Sequence, residues 1–157
     1  MSKKIIFTTG GTGGHIFPAL RLMEHFSSKD YDVLLVTDKR GNKFLENYSN
    51  LKSYILNTST PTNKKFFNKV ISLLKIFYSI IKSIKILKKE KPDLIFGFGG
   101  YVSFPISFIA KFFRIPLIIY ENNMTLGRAN KFLSFFSVKI LLAKSIESKF
   151  SKKHKIK

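Results

Sequence analysis

Three short segments carry residue types that do chemistry on phosphates and sugars. The first is Gly10-Gly11-Thr12-Gly13-Gly14-His15. Consecutive glycines let a backbone come close to a ligand and turn bare N–H groups toward it. A helix starting just after them adds a partial positive charge that suits a phosphate. The second, Gly97-Phe98-Gly99-Gly100-Tyr101-Val102-Ser103, repeats the arrangement. Two such loops side by side can grip a diphosphate together, although each also serves as an ordinary tight turn. The third is Tyr120-Glu121-Asn122-Asn123. Its amides can hydrogen-bond a sugar hydroxyl or acetamido group, and Glu121 can orient a group or accept a proton. The same run also reads as a polar loop with an asparagine capping the next helix. His15 borders the first loop, where an imidazole can act as general base toward a sugar hydroxyl.

The spacing excludes two common nucleotide motifs. A dinucleotide fingerprint counted from Gly11 needs glycine where Ile16 stands, and a P-loop needs a Lys-Ser or Lys-Thr pair that this loop lacks. Asp38, at the end of the second apolar run, superficially resembles the ribose-binding acid of a dehydrogenase and reads better as a solvated loop residue. An oxidoreductase is therefore disfavoured.

Those segments need strands and helices to position them. Short runs rich in Ile, Leu and Val predict strands at 5–9, 33–37, 53–56, 94–97, 117–120 and 139–143. Helical patterns fall between them at 16–27, 42–48, 66–89, 102–113 and 126–136. The alternation predicts an α/β fold: a Rossmann-like parallel sheet with helices on both faces. All three segments then follow strands at the C-terminal edge, where such sheets bind ligands. One domain over 1–147 and a basic tail over 148–157 are expected.

Of the 157 residues, 28 are Lys or Arg and nine Asp or Glu, a formal net charge of +19. Anionic partners are expected: phosphorylated substrate, anionic lipid or nucleic acid. No nucleic-acid module accompanies the charge, so nucleic acid is not expected as a partner. Cysteine is absent, which removes disulfides and cysteine metal sites; no metal or cofactor is expected. The N-terminus has no signal-peptide pattern, and lysines interrupt the most apolar stretch, between Phe66 and Leu87. Along that stretch Asn68, Ser72, Lys75, Ser79, Lys82 and Lys89 form a polar stripe. The rest, including Phe67, Ile71, Leu74, Phe77 and Ile81, is apolar and wider than one sheet face requires. The excess fits either contact with lipid, lysines on anionic head groups, or a deeply buried helix.

Taken together, GGTGGHIFPAL at 10–20, FGFGGYVSFP at 96–105 and IPLIIYENNMTLGRANK at 115–131 resemble the amino-terminal half of the MurG family. The resemblance runs from Lys4 to about Ala143. It implies the amino-terminal domain of a GT-B glycosyltransferase. That enzyme moves N-acetylglucosamine from UDP-N-acetylglucosamine to undecaprenyl-pyrophosphoryl-MurNAc-pentapeptide, with inversion, in peptidoglycan synthesis. The amino-terminal domain is implied to bind the lipid acceptor at the cytoplasmic face of the inner membrane, as a peripheral protein on an anionic surface.

By the resemblance, Thr12, Gly13 and Gly14 match the donor-contacting triplet, and His15 the histidine often proposed as base. Gly99, Gly100 and Tyr101 match the loop that meets the acceptor pyrophosphate. Asn123 matches the asparagine on the donor sugar, and Glu121 the acidic position beside it, taken here with His15 as catalytic. The family usually shows His-Glu-Gln-Asn where this chain has Tyr120-Glu121-Asn122-Asn123, so Tyr120 and Asn122 have no carried-over role. The carboxy-terminal donor-binding domain is absent from the sequence. A separate donor-binding half is the expected partner. The alternatives are a non-catalytic, membrane-recruiting subunit of a split glycosyltransferase, or an inactive fragment.

Overall fold

The structure, a computed structural model, describes residues 2–46, 48, 50–58 and 66–143, with the backbone alone for 66–69. The basic tail expected at 148–157 lies outside the described residues.

Among the described residues six strands form one sheet: β1 (Lys4–Thr8), β2 (Asp32–Thr37), β3 (Ser53–Ile55), β4 (Leu94–Gly97), β5 (Leu117–Glu121) and β6 (Lys139–Leu142). Every pairing is parallel, in the order β3-β2-β1-β4-β5-β6. The chain therefore leaves β1 in one direction and later returns to its other side through β4. The loops after β1 and β4 flank that reversal, the usual ligand crevice of such a sheet.

Helices cover both faces, as the alternation predicts. On one face α1 (Gly13–Ser27) buries Ile16, Ala19, Leu20 and Met23 against Ile5, Phe7, Leu35 and Phe96. On the other, α3 (Phe66–Glu90), α4 (Ser103–Phe112) and α5 (Arg128–Leu133) enclose Ile6, Leu34, Ile95, Leu117 and Ile119. Alternate strand residues go to opposite faces, so Ile5 and Phe7 join one core and Ile6 the other. Short α2 (Lys39–Asn42) runs into a 3₁₀ turn at Lys43–Leu45. It begins earlier than its sequence pattern suggests because Asp38 caps it, accepting from Gly41 N–H at 2.8 Å.

Helices α1, α3 and α4 are each followed by a residue in the left-handed region: Asp30, Lys91 and Arg114. After α1 and α4 the next amide bonds back five residues, Tyr31 to Phe26 and Ile115 to Ala110, which closes the helix end and aims the chain into β2 or β5.

Helix α3 has 25 residues, roughly 37 Å of helix, whereas five-residue β1 spans only about 17 Å. Its C-terminal part lies on the sheet and buries Ile86 and Leu87. Its N-terminal part overhangs the C-terminal edge of the strands. There the serines of the polar stripe, and not the wide apolar side, face the protein. Ser72 and Ser79 point inward and are buried, as is Ser83. Ser79 donates to the Asn57 carbonyl at 3.2 Å, Ser83 to the Ser79 carbonyl at 2.7 Å, and Lys82 Nζ to the Ile55 carbonyl at 2.6 Å. Small hydroxyls let the helix come close to the end of β3, which leaves the apolar side in solvent. Leu73, Leu74, Phe77 and Tyr78 are 58 to 64% exposed. Among the described residues no helix is long and apolar enough to cross a membrane.

Candidate functional site

The loops after β1 and β4 touch backbone to backbone. Gly10 N–H donates to the Gly99 carbonyl at 3.1 Å. Gly99 and Gly100 have φ of +85° and +79°, a conformation that side-chain-bearing residues seldom take. A Cβ on Gly100 would stand 3.0 Å from the Cα of Gly10, so glycine is what allows the two loops to meet. Gly11 has the same function toward α2: a Cβ there would fall 2.2 Å from both Asp38 Oδ1 and the Gly41 nitrogen. Asp38 is thus a structural cap, held also by Arg40 at 2.8 Å, and not a ribose ligand.

Helix α1 starts at Gly13, three residues before its apolar pattern does. Gly13, Gly14 and His15 therefore form its first turn. Thr12, extended at φ −104°, ψ 142°, is the N-cap but makes no side-chain capping bond. His15 N–H donates to the Thr12 carbonyl at 2.9 Å, whereas the N–H groups of Gly13 and Gly14 have no helical carbonyl to bond and lie at the positive end of the helix.

Pro18 sits inside α1 and has no N–H to give the Gly14 carbonyl. Asn122 Nδ2 supplies that bond instead, at 3.3 Å. The third segment is in this way tied to the first.

Glu121 is 2% exposed, and four N–H groups occupy its carboxylate. Oε1 accepts from Asn123 N at 3.0 Å and Asn123 Nδ2 at 2.7 Å. Oε2 accepts from Gly127 N at 2.9 Å and Asn130 Nδ2 at 3.0 Å. This geometry pins the 122–127 loop and the start of α5, and leaves no lone pair directed at a substrate.

A cleft of about 190 Å³ lies among these parts. It is lined by His15, Gly99, Gly100, Tyr101, Glu121 and Asn123 from the residues expected on sequence grounds, and by Gly127, Arg128, Ala129 and Asn130 besides. Thr12, Gly13 and Gly14 are not among its lining and stand on the rim at the head of α1. The sequence reading missed Arg128 and Asn130. Both lie in the LGRANK run at its third segment, but a few residues past the polar cluster that drew notice. His15 is half-buried, with its imidazole facing Gly100: a Cβ on that glycine would come 3.9 Å from His15 Cδ2. No group of three or more metal-ligating side chains occurs among the described residues.

A larger hollow of about 670 Å³ sits at the other end of α1, by Met23, Glu24 and Tyr48. It faces the start of β2, away from the glycine loops. There Tyr48 donates to Glu24 Oε1 at 2.9 Å, a bond that raises the phenol above its ordinary pKa.

The family model for the glycosyltransferase family 28 N-terminal domain matches residues 5–142. Similar curated proteins include the UDP-N-acetylglucosamine–N-acetylmuramyl-(pentapeptide) pyrophosphoryl-undecaprenol N-acetylglucosamine transferases of Wolbachia sp. subsp. Brugia malayi and of Rickettsia bellii. The first is 42% identical over 152 residues, covering 96% of this chain and 41% of the relative. The second is 37% identical over 141 residues, covering 90% and 38%. The chain thus spans about two-fifths of the length of these relatives. Among solved structures, Acinetobacter baumannii MurG superposes with a TM-score of 0.80 at 27% identity, covering 92% of this chain and 42% of that one. The UDP-GlcNAc 2-epimerase of Methanocaldococcus jannaschii shares the fold, with a TM-score of 0.63 at 16% identity over 93% of this chain and 40% of that one.

Proposed function

We propose, from the premise that this chain belongs to the family of glycosyltransferase family 28 N-terminal domains, that it forms the acceptor-binding half of a peptidoglycan N-acetylglucosamine transferase. The acceptor is undecaprenyl-pyrophosphoryl-MurNAc-pentapeptide, the donor UDP-N-acetylglucosamine. The carboxy-terminal half of such an enzyme holds most of the nucleotide. The observation that carries this reading is the backbone contact between two glycine loops at the reversal point of the sheet.

In this reading the Gly99–Tyr101 loop seats the acceptor pyrophosphate. Thr12, Gly13 and Gly14 present the head of α1 to the donor. Asn123 has its Nδ2 engaged by Glu121, which leaves its carbonyl oxygen for a hydroxyl of the donor sugar. His15 takes the proton from the muramyl C4 hydroxyl as that oxygen bonds to the donor's anomeric carbon. The bond from that carbon to the UDP phosphate breaks, UDP leaves with the electron pair, and the configuration inverts. No covalent intermediate is required. Glu121, grouped with His15 on sequence grounds, acts here as a positioning residue, because its lone pairs are already taken.

The membrane surface is the apolar side of α3 around Leu74 and Phe77, with Lys75 and the chain's net charge of +19 attracting anionic head groups at the cytoplasmic face of the inner membrane. Vesicle flotation tests it. Binding to phosphatidylglycerol vesicles should fall with salt, and Leu74→Asp with Phe77→Asp should abolish it. Undiminished binding by that double variant would remove α3 as the contact.

The catalytic part is tested by combining the chain with a separately expressed donor half. His15→Ala should lower turnover by a factor on the order of 100 or more. An unchanged rate would exclude His15 as base. No turnover with any donor half would favour a membrane-recruiting subunit without catalysis.

A further inference from the structure

The cleft holds a cation and an acceptor that the described residues leave unused. Arg128 lines the cleft, is exposed, and forms no ion pair among the described residues. The carboxylate nearest it in the lining, Glu121, is already saturated by amides. Asn130, two residues further along α5, is 2% exposed. Its Nδ2 donates to the Tyr120 carbonyl at 3.2 Å and to Glu121 Oε2 at 3.0 Å. Those two acceptors fix the orientation of the amide, because the reverse setting would face oxygen against oxygen. Asn130 Oδ1 is then buried without a hydrogen-bond partner among the described residues. Buried acceptors in native proteins are nearly always satisfied, so an orphan at the wall of a cleft points to a ligand that completes it. The space beside it is where a side chain on Gly99 would go: a Cβ there would lie 3.1 Å from Asn130 Nδ2 and 3.5 Å from Oδ1.

The two groups make opposite demands. A guanidinium takes an anion, whereas a carbonyl oxygen takes an N–H or O–H. Bare phosphate or pyrophosphate answers the first and leaves the second unmet. A sugar with phosphate on C1 and an acetamido N–H on C2 answers both from adjacent carbons.

We propose that the first turn of α5 is a reader for a 2-acetamido sugar bearing an anomeric diphosphate. Arg128 binds the diphosphate seated on Gly99 and Gly100, and Asn130 Oδ1 accepts from the 2-acetamido N–H. The inference rests on the acceptor-site reading above and adds to it two residues that select the sugar. It makes the cleft a site for the sugar and its phosphate together, so that affinity depends on the C2 substituent as well as on charge.

Calorimetric titration of the full chain tests this with three probes: inorganic pyrophosphate, an N-acetylhexosamine 1-diphosphate, and its 2-deoxy counterpart. The native chain should bind the acetamido sugar about tenfold more tightly than the 2-deoxy sugar, the lower range for a buried hydrogen bond. Arg128→Ala should weaken all three probes by a similar factor, about tenfold, and leave that discrimination intact. Because Arg128 is exposed, the variant keeps its fold, checked by circular dichroism. The ligand comparison on unmutated protein avoids disturbing buried Asn130. Equal affinity for the acetamido and 2-deoxy sugars, or unchanged pyrophosphate binding by Arg128→Ala, overturns the reader. Gly100→Ala separates the two levels. Binding that disappears in Gly100→Ala but ignores Arg128→Ala keeps the acceptor seat and rejects the reader. Absence of binding by the native chain rejects both.

Discussion

Two buried carboxylates stand at opposite ends of the sheet, and different chemistry holds them. Glu90, at the end of α3, meets Lys4 Nζ at 3.0 Å and Lys52 Nζ at 2.8 Å through Oε2, while Oε1 accepts from the Tyr54 hydroxyl. Lys4 also pairs with Asp32 at 3.1 Å. Burial opposes ionisation of Glu90, but the hydrogen bonds from Lys52, Tyr54 and Lys4 outweigh it and pull the carboxyl down to about 2. The same contacts raise Lys4 and Tyr54. Glu121, at the C-terminal edge of the strands, is held by neutral amides alone. The charged cluster clamps the start of β1, β2 and β3 to the long helix and uses every group it contains. The amide set fixes a loop and leaves Arg128, Asn130 Oδ1 and the head of α1 open. Stability is concentrated at one edge and unused binding capacity at the other.

The comparison is broken most forcefully at Glu90. Glu90→Ala removes the anion that Lys4 and Lys52 share and the acceptor of the Tyr54 hydroxyl, and on the order of 3 kcal/mol of unfolding free energy should go. Denaturant titration reads this, and a loss under about 1 kcal/mol would show the cluster to be superficial. Acid probes the same clamp without mutation. The folded carboxyl is depressed from 4.5 to about 2, so its contribution is present above pH 4.5 and is lost as pH falls toward 2. At roughly 1.4 kcal/mol per unit the loss is on the order of 3 kcal/mol, and it should be missing in Glu90→Gln.

Glu121→Gln comes next. The Gln NH₂ must face N–H donors, at a cost of about 1–3 kcal/mol. Hydrogen exchange should speed up over 122–130 and stay unchanged at Lys4 and Lys52. Acceleration at both edges would contradict the division. Asn122→Ala should cost least, about 0.5–1.5 kcal/mol, since the carbonyl it leaves at Gly14 can reach water.

The sheet was legible because its strands are apolar runs such as Ile5-Ile6-Phe7 and Leu34-Leu35-Val36, buried on both faces and separated by helical periods. Element ends were less so. Gly13 and Gly14 are poor helix formers, yet they open α1, because a strand-end turn places them there. Helix α3 was legible in extent but not in facing: its serines read only as members of a polar stripe. Their small size and their bonds to the Asn57 and Ser79 carbonyls put them inside. At the site, the glycine pairs announced themselves by composition. Asn130 did not, since its significance lies in an unsatisfied oxygen that exists only once Tyr120 and Glu121 have claimed its amide. Asn122 matters because of Pro18, a relation invisible along the chain.

Amide chemical-shift mapping with a water-soluble, short-prenyl pyrophosphoryl-MurNAc-peptide probes the acceptor seat itself. Saturable shifts are expected at Gly99, Gly100 and Tyr101, with the hollow beside Met23 and Tyr48 silent. Shifts confined to that hollow, or none at the glycine loops, would contradict it.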